Sequence, residues 1–383
     1  MMYVWMMLKE RFIRGIFLRG IDPYDRIKHT FKVSYVKSYT LMNQKFSKVR
    51  DSNFELLRIV AISMVLILHA DFFSLEGPSA ADIMSDLSGS SMRILIQALT
   101  ISAVDIFVMI SGYYGIQHSK HGIFNFLFQT FFYLIIIYVV CIACGLSKLN
   151  MTGIKELFML TSSNWFLKSY ILLYIIAPVL NAFVSKANKR QFKFILISYY
   201  AFILIWGWLF PTSTDYIAGG YSPLFFVWLY LLARYMRLYS FRLTQLTFVT
   251  AIIFYSITAF FVLLICISTY YIGGDAVYGY ILLQYISPTT VATAMLLIIA
   301  TSKLHISSKL INRLAASSFA VYLVCVNPNL LTPYRNLFSD LYHTYSDLMY
   351  WLIVLGLVAI IYIAIAVIDT IRIFLWKRIE LTV

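Results

Sequence analysis

Residues 54–73 read FELLRIVAISMVLILHADFF, an apolar run whose charged or titratable side chains are Glu55, Arg58, His69 and Asp71. A helix needs about 20 consecutive apolar residues to cross the hydrocarbon core of a bilayer, and this run has that length. Similar apolar windows follow at 92–115, 123–147, 164–184, 192–211, 222–238, 247–271, 279–302, 313–332 and 347–374. The sequence therefore predicts an all-α integral membrane protein, a bundle of about ten transmembrane helices.

The composition agrees with a lipid environment. Hydrophobic residues make up 61% of the chain and charged residues 13%, so a soluble fold would expose a very large apolar surface. A formal net charge of +14 could indicate nucleic-acid binding. However, most Lys and Arg fall in the N-terminal segment, in every second loop or at the C-terminus, which is the positive-inside pattern. We therefore expect cytoplasmic N- and C-termini and no nucleic-acid partner.

The chain divides into three predicted segments. Residues 1–52 form a basic cytoplasmic or interfacial extension, residues 53–375 the membrane domain, and residues 376–383 a short cytoplasmic tail. In the extension, apolar residues recur at helical spacing among basic ones, which indicates a helix lying on anionic lipid. An unstructured extension, or a start codon chosen too far upstream, explains the same residues.

Arg58 and His69 are the first candidate site residues, because charged or titratable groups inside a span are costly and mark functional positions. At about 100° per residue their spacing puts both on one helix face, about 16 Å apart along the axis. His69 would lie past the midplane and Arg58 near the cytoplasmic surface. The alternatives are a structural, hydrogen-bonded histidine and an interfacial arginine paired with Glu55.

Asp105, Ser111 and Gly112 belong to the second predicted span. Asp105 would lie about 20 Å below the outer surface and His69 about 6 Å below it, so a direct pair requires a tilted or broken helix. Without such a pair, Asp105 would serve a polar network. Ser111 and Gly112 are small, so either a neighbouring helix or a ligand can approach them closely.

Trp165 and Lys168 stand at the outer mouth of the fourth predicted span. Interfacial anchoring explains both residues, and a tryptophan face can also stack on a sugar ring. The four cysteines lie in apolar segments, which indicates neither a disulfide framework nor a metal site.

Four stretches in order resemble the acyltransferase-3 family of bacterial membrane O-acyltransferases. Arg58 to His69 matches the R-x10-H pattern that opens this family. The others are VDIFVMISGY at 104–113, NWFL at 164–167 followed by Tyr174, Pro178 and Asn181, and SSFAVYL at 317–323. The resemblance extends over residues 53–375. The chain departs from the family pattern at two places. Many members have a histidine after Tyr-Leu, where this chain has Val324-Cys325. Many also have arginine pairs after Ser-Gly-Tyr, where this chain has His118, Lys120 and His121.

The resemblance implies acyl transfer from a cytoplasmic acyl-CoA, most often acetyl-CoA, to a sugar hydroxyl of a lipid-linked or cell-surface glycan. The Ser-Gly-Tyr stretch is similar to polysaccharide-modifying members of the bacterial inner membrane. The roles implied are catalysis by His69 and Asp105, donor binding by Arg58, Ser111 and Gly112, and acceptor binding by Trp165 and Lys168. The resemblance implies no tightly bound cofactor and no metal. Membrane lipid is expected around the bundle, and the sequence is compatible with either a monomer or a homo-oligomer.

Two other functions are compatible with the same membrane-protein composition. A transporter or flippase for lipid-linked sugar often shows repeated halves with helices interrupted at matching positions, and no such repeat is detectable in the sequence. A glycan polymerase usually needs a sizeable outer loop, whereas the predicted outer loops are short.

Overall fold

The computed structural model describes residues 51–210, 217–273 and 280–380, and within these ranges every regular element is a helix. The first eight α-helices are α1 Ser52–Ala70, α2 Phe72–Leu75, α3 Ala80–Ser85, α4 Leu87–Thr100, α5 Ala103–Tyr114, α6 Lys120–Ala143, α7 Met151–Leu157 and α8 Trp165–Lys186. The others are α9 Lys189–Ile203, α10 Pro223–Leu238, α11 Phe248–Gly273, α12 Pro288–Ser302, α13 Lys309–Ala315, α14 Ser318–Cys325, α15 Pro328–Thr344 and α16 Asp347–Glu380. The predicted all-helical membrane bundle is confirmed. The N-terminal extension lies, up to Arg50, outside the described residues.

Eight helical segments in the described ranges are long and apolar enough to cross a membrane, or nine if one bent pair is a single span. The difference from the predicted ten lies in two segments. The window 222–238 folds as α10, whose 16 residues rise only about 24 Å against a hydrocarbon core of about 30 Å. The window 313–332 is not one helix, because the segment that ends at Cys325 meets α15 at an angle of 86°.

Asn327 and Pro328 account for this bend. Proline clashes with the preceding turn of a helix, but it is favoured as the first residue of a new one. Pro328 occupies that position in α15, and the side chain of Asn327 accepts a hydrogen bond from the backbone N–H of Asn329. A count of apolar residues does not register this stop signal. The predicted span 313–332 therefore combined parts of two separate helices.

The predicted basic loops lie together at one end of the bundle, called here the basic end. Tyr114, at the end of α5, donates a hydrogen bond to Asp51, just before α1. Arg237, at the end of α10, donates to the hydroxyl of Tyr113. Arg237 also lines a cavity together with Lys303, which follows α12. The ends of α5, α10 and α12 and the start of α1 therefore share one end of the described bundle.

The contact between α5 and α10 is close enough to require glycine at position 112. A Cβ atom added to Gly112 would lie 2.5 Å from the carbonyl oxygen of Tyr230 and 2.8 Å from its Cα. The hydroxyl of Tyr230 donates a 2.6 Å hydrogen bond to Asn181 on α8. The three helices are thus fixed against one another at the level of Ser111.

A second polar contact fixes α16 within the bundle. The Arg372 guanidinium donates to both carboxylate oxygens of Asp369, at 2.9 and 2.7 Å. Tyr133 and Ser317 donate to the same carboxylate, at 2.7 and 2.8 Å. Because the charge of Asp369 is compensated by one cation and two hydroxyls, this buried pair has a structural role.

We expect Gly112→Ala to lower the unfolding temperature of the purified protein in detergent. The added methyl group must displace backbone rather than a flexible side chain, and overpacking of this kind typically costs about 1–3 kcal/mol. Gly356→Ala on α16 is the matched control, because nothing lies within 4 Å of its Cβ position and alanine favours a helix by up to about 1 kcal/mol. Equal unfolding temperatures for Gly112→Ala and wild type would contradict the close contact between α5 and α10.

Candidate active site

Arg58 lies on α1 near the basic end and belongs to a small polar group. Its guanidinium donates a 2.7 Å hydrogen bond to the Glu55 carboxylate, and its side chain is 35% exposed. The predicted pairing with Glu55 is therefore present, and this bond uses one of the five N–H donors of the guanidinium. The charge of Arg58 also acts on the hydroxyl of Tyr170, which lies 2.9 Å from the Ser111 hydroxyl. Arg58, Tyr170 and Ser111 thus surround one polar region.

His69 lies three turns further along α1. A contact between its ring and a backbone carbonyl determines which ring nitrogen carries the proton. Nδ1 lies 2.8 Å from the carbonyl oxygen of Val65. Because a carbonyl can only accept a hydrogen bond, Nδ1 carries the proton and Nε2 keeps its lone pair. The ring stacks on Phe73 at a centroid distance of 4.6 Å and is only partly buried. The imidazole is thus oriented as a proton acceptor.

The end of α1 that carries His69 is held by a buried ion pair and two hydroxyl contacts. Arg93 on α4 donates a 2.6 Å hydrogen bond to Asp71, and both side chains are about 5% exposed. The hydroxyls of Tyr334 and Tyr350 donate to α1 carbonyl groups on either side of His69, at 2.8 and 2.9 Å. These contacts fix the position of the imidazole relative to α4, α15 and α16.

Two residues beside the His69 end of α1, Asp82 in α3 and Tyr280 before α12, have shifted pKa values. The backbone and hydroxyl groups of Ser79 donate to the Asp82 carboxylate and hold its pKa below the ordinary value. Burial raises the pKa of Tyr280, so its hydroxyl stays neutral and donates a 2.6 Å hydrogen bond to the Pro78 carbonyl. The loop after α2 is therefore attached to the segment before α12.

Asp105 is completely buried in the first turn of α5, directly after the break between α4 and α5. Neither of its carboxylate oxygens, nor the hydroxyl of Ser102, has a hydrogen-bond partner among the described residues. The break required for a pair with His69 is present, yet no hydrogen bond joins the two side chains. Asp105 lies within the range of electrostatic coupling to Tyr200 and Tyr285. A buried carboxyl group without a partner is costly, which makes it a functional candidate.

Trp165 begins α8 at the end of the bundle opposite the basic end and belongs to an aromatic cluster. Its ring centroid lies 4.5 Å from Tyr221, 5.8 Å from Tyr285 and 5.9 Å from Phe226. Tyr221 is 44% exposed, so the cluster reaches the surface. Tyr285 links the cluster to Asp105, and the predicted acceptor residue and the predicted catalytic carboxyl group therefore share a neighbour.

Lys168 and Gly112 have structural contacts that explain their positions. The Lys168 ammonium donates a 2.6 Å hydrogen bond to the carbonyl of Thr161, which attaches the preceding loop to α8. Gly112 allows α5 to approach α10. Acceptor binding by Lys168 and donor binding by Gly112 stay predictions. Within the described residues, no group of three or more His, Cys, Asp or Glu is placed to hold a metal ion.

Sequence reasoning missed the tyrosines and the ion pair that support these residues. Tyr170 and Tyr285 have no local pattern that separates them from the many other tyrosines of the chain. The pairing of Asp71 with Arg93 did have a signal, because opposite charges stand at adjoining ends of successive spans.

The helices and their internal polar groups define a multi-pass membrane protein with titratable side chains inside its spans. The family model described as an acyltransferase domain, that of the acyltransferase-3 family, matches residues 51–369. The chain belongs to this family and is an acyltransferase, an enzyme that transfers acyl groups other than aminoacyl groups. It matches no curated protein and no solved structure.

We expect Asp105→Asn to lower acyl transfer by about 10²-fold, in the range found when an acid–base group is removed, without lowering the unfolding temperature. The amide has the shape of the carboxyl group, and no hydrogen bond to a described residue is lost. Asp340→Asn, at an exposed position of α15, is the control and should retain full activity. Full activity of Asp105→Asn would exclude a catalytic role for the carboxyl group.

Proposed function

We propose that the protein is an O-acyltransferase, with acetyl-CoA as donor and a sugar hydroxyl of a cell-surface or lipid-linked glycan as acceptor, in the bacterial inner membrane. The observation that carries this proposal is the state of His69. Its Nδ1 is engaged by the Val65 carbonyl at 2.8 Å, which leaves Nε2 to accept a proton. A hydroxyl group is a poor nucleophile until a base with a pKa near neutrality accepts its proton.

In the proposed reaction, the sugar oxygen attacks the thioester carbonyl carbon while Nε2 of His69 takes the hydroxyl proton. A C–O bond forms, and collapse of the tetrahedral intermediate breaks the C–S bond. The CoA sulfur leaves as a thiol with the proton returned by His69. Acylated sugar and free CoA are the products, and the histidine ends in its starting state. No tightly bound cofactor is needed.

The donor side of the proposed site is built from Arg58, Ser111 and Gly112. A guanidinium binds phosphate through two parallel hydrogen bonds, and the Ser111 hydroxyl, together with Tyr170, offers further polar contacts. Arg58 and His69 are about 16 Å apart along α1. This separation suits a donor whose phosphates and thioester lie at opposite ends of an extended arm.

The acceptor side is proposed at the cluster that contains Trp165, with Lys168 beside it. The cluster is partly exposed at Tyr221, and aromatic faces of this kind stack on sugar rings. Asp105 is electrostatically coupled to Tyr285 of this cluster. Its oxygens, which lack hydrogen-bond partners among the described residues, can accept hydrogen bonds from sugar hydroxyls. Donor and acceptor would thus enter from opposite ends of the bundle. Nucleic acid has no part in this proposal, and a homo-oligomer is not required by it.

We expect His69→Ala to abolish glycan acylation while the amount of protein in the membrane stays near that of wild type. Removal of a general base typically costs about 10²–10⁴-fold in rate, whereas within the described residues the ring makes a single hydrogen bond, to a backbone carbonyl. His343→Ala is the control, because this histidine is exposed on α15.

The measurement is mass spectrometry of surface glycan from cells that lack the gene and carry either variant. Wild-type acylation in the cells with His69→Ala would overturn the mechanism and leave His69 with a structural role. Loss of acylation with His343→Ala as well would show a general defect.

A further inference from the structure

We propose that Arg237, at the end of α10, and Lys303, after α12, form a phosphate-binding site that receives the nucleotide end of the donor, with Arg234 one turn before Arg237 as a further cation beside it. The proposal rests on the proposed function, because it takes the donor to be an acyl-CoA. It adds a second contact region at the basic end, distinct from Arg58, for the phosphate groups that this class of donor carries.

Two cavities of the basic end meet at Arg237. One, of about 400 Å³, is also lined by His305 and Asp51. The other, of about 280 Å³, is also lined by Lys303. Arg237 and Lys303 thus face one carboxylate, that of Asp51, in the walls of the two cavities. Asp51 already accepts a 2.8 Å hydrogen bond from Tyr114. An anion in these cavities would therefore meet a predominantly positive wall.

The two arginines are held in place by uncharged groups. The Arg237 guanidinium donates a 3.0 Å hydrogen bond to the hydroxyl of Tyr113 and lies 4.8 Å above the centroid of its ring. Arg234 reaches the Tyr113 carbonyl at 3.4 Å, and its Nε is buried without a hydrogen-bond partner among the described residues. The ion pairs formed between described residues use other arginines. Oriented guanidinium groups without a carboxylate partner are suited to phosphate.

The backbone after α5 is shaped to accommodate these side chains. Gly115 has a φ of +79°, and a Cβ atom there would lie 3.1 Å from a terminal nitrogen of Arg234. The hydroxyl of Tyr230 accepts a 3.1 Å hydrogen bond from the backbone N–H of Ile116. The Tyr230 hydroxyl is also electrostatically coupled to Arg234 and to Tyr170.

Tyr170 connects this region to Arg58, whose charge acts on its hydroxyl. A donor whose nucleotide phosphate lies at Arg237 can therefore place its diphosphate at Arg58 and direct its thioester arm past Ser111 toward His69. The competing explanation is that Arg234 and Arg237 only neutralise the carbonyl groups at the ends of α5 and α10. A structural role of that kind predicts no effect of these residues on donor affinity, and binding measurements separate the two explanations.

The test measures the Kd of acetyl-CoA for the purified full-length protein in a neutral detergent free of anionic lipid. Arg237→Gln and Lys303→Gln should each raise this Kd by about tenfold or more, since a hydrogen bond to a charged group is lost. Arg237→Lys should show a smaller rise, because it keeps the charge but not the paired donors. Arg242→Gln, an exposed position in the loop after α10, is the matched control and should bind like wild type.

Unfolding temperatures of all variants show whether each one is folded; if Arg237→Gln is not, Lys303→Gln decides the result. Folded variants that bind acetyl-CoA as tightly as wild type would overturn the inference and leave the proposed function intact. If instead only stabilisation by phosphatidylglycerol in nanodiscs is lost, the site belongs to a lipid headgroup and the donor assignment is wrong. A wild-type protein that binds adenosine 3′,5′-bisphosphate through Arg237 but not acetyl-CoA would support the phosphate site and refute the proposed donor.

Discussion

The cost of placing a charge in hydrocarbon determines how this protein is built. A charged side chain inside a span must find a partner or serve a function, and most of those in the described bundle have found one. Arg58 pairs with Glu55, Arg93 with Asp71, and Arg372 with Asp369. The pair between Arg93 and Asp71 joins two helices beside His69. Asp105 differs, because its oxygens lack hydrogen-bond partners among the described residues, and this difference is the reason to place it in the site.

The constraint also explains which features were predictable from the sequence. The length of the apolar windows predicted the helical bundle, and the positions of Lys and Arg predicted loops that share one end. The bend at Pro328 was missed, because window averages do not register a local stop signal. The spacing of Arg58 and His69 placed both on one face of α1, since a helix has a fixed periodicity. The lack of a hydrogen-bond partner for Asp105 among the described residues could not be predicted, because the surroundings of this carboxyl group depend on the break after Thr100 and on the packing of distant segments.

The polar groups at the two ends of the bundle differ in chemistry. Cations gather at the basic end, where Arg234 and Arg237 donate hydrogen bonds to Tyr113 at the end of α5 and Arg58 lies on α1. An aromatic cluster around Trp165 occupies the opposite end, and its member Tyr285 is electrostatically coupled to the Asp105 carboxyl group. His69 lies in the half of α1 that the Arg93–Asp71 pair holds in place, with Nδ1 bonded to the Val65 carbonyl and Nε2 left as the proton acceptor. An acyl donor and a hydroxyl acceptor that enter from opposite ends would meet at such a group.

The most direct test of this account is an experimental structure of the protein with a non-hydrolysable acetyl-CoA analogue. The account predicts that the carbonyl carbon of the analogue lies beside Nε2 of His69, with the donor arm along the α1 face that carries Arg58. A carbonyl carbon more than one helical turn, about 5.4 Å, from the imidazole, or a donor arm outside the bundle, would contradict it.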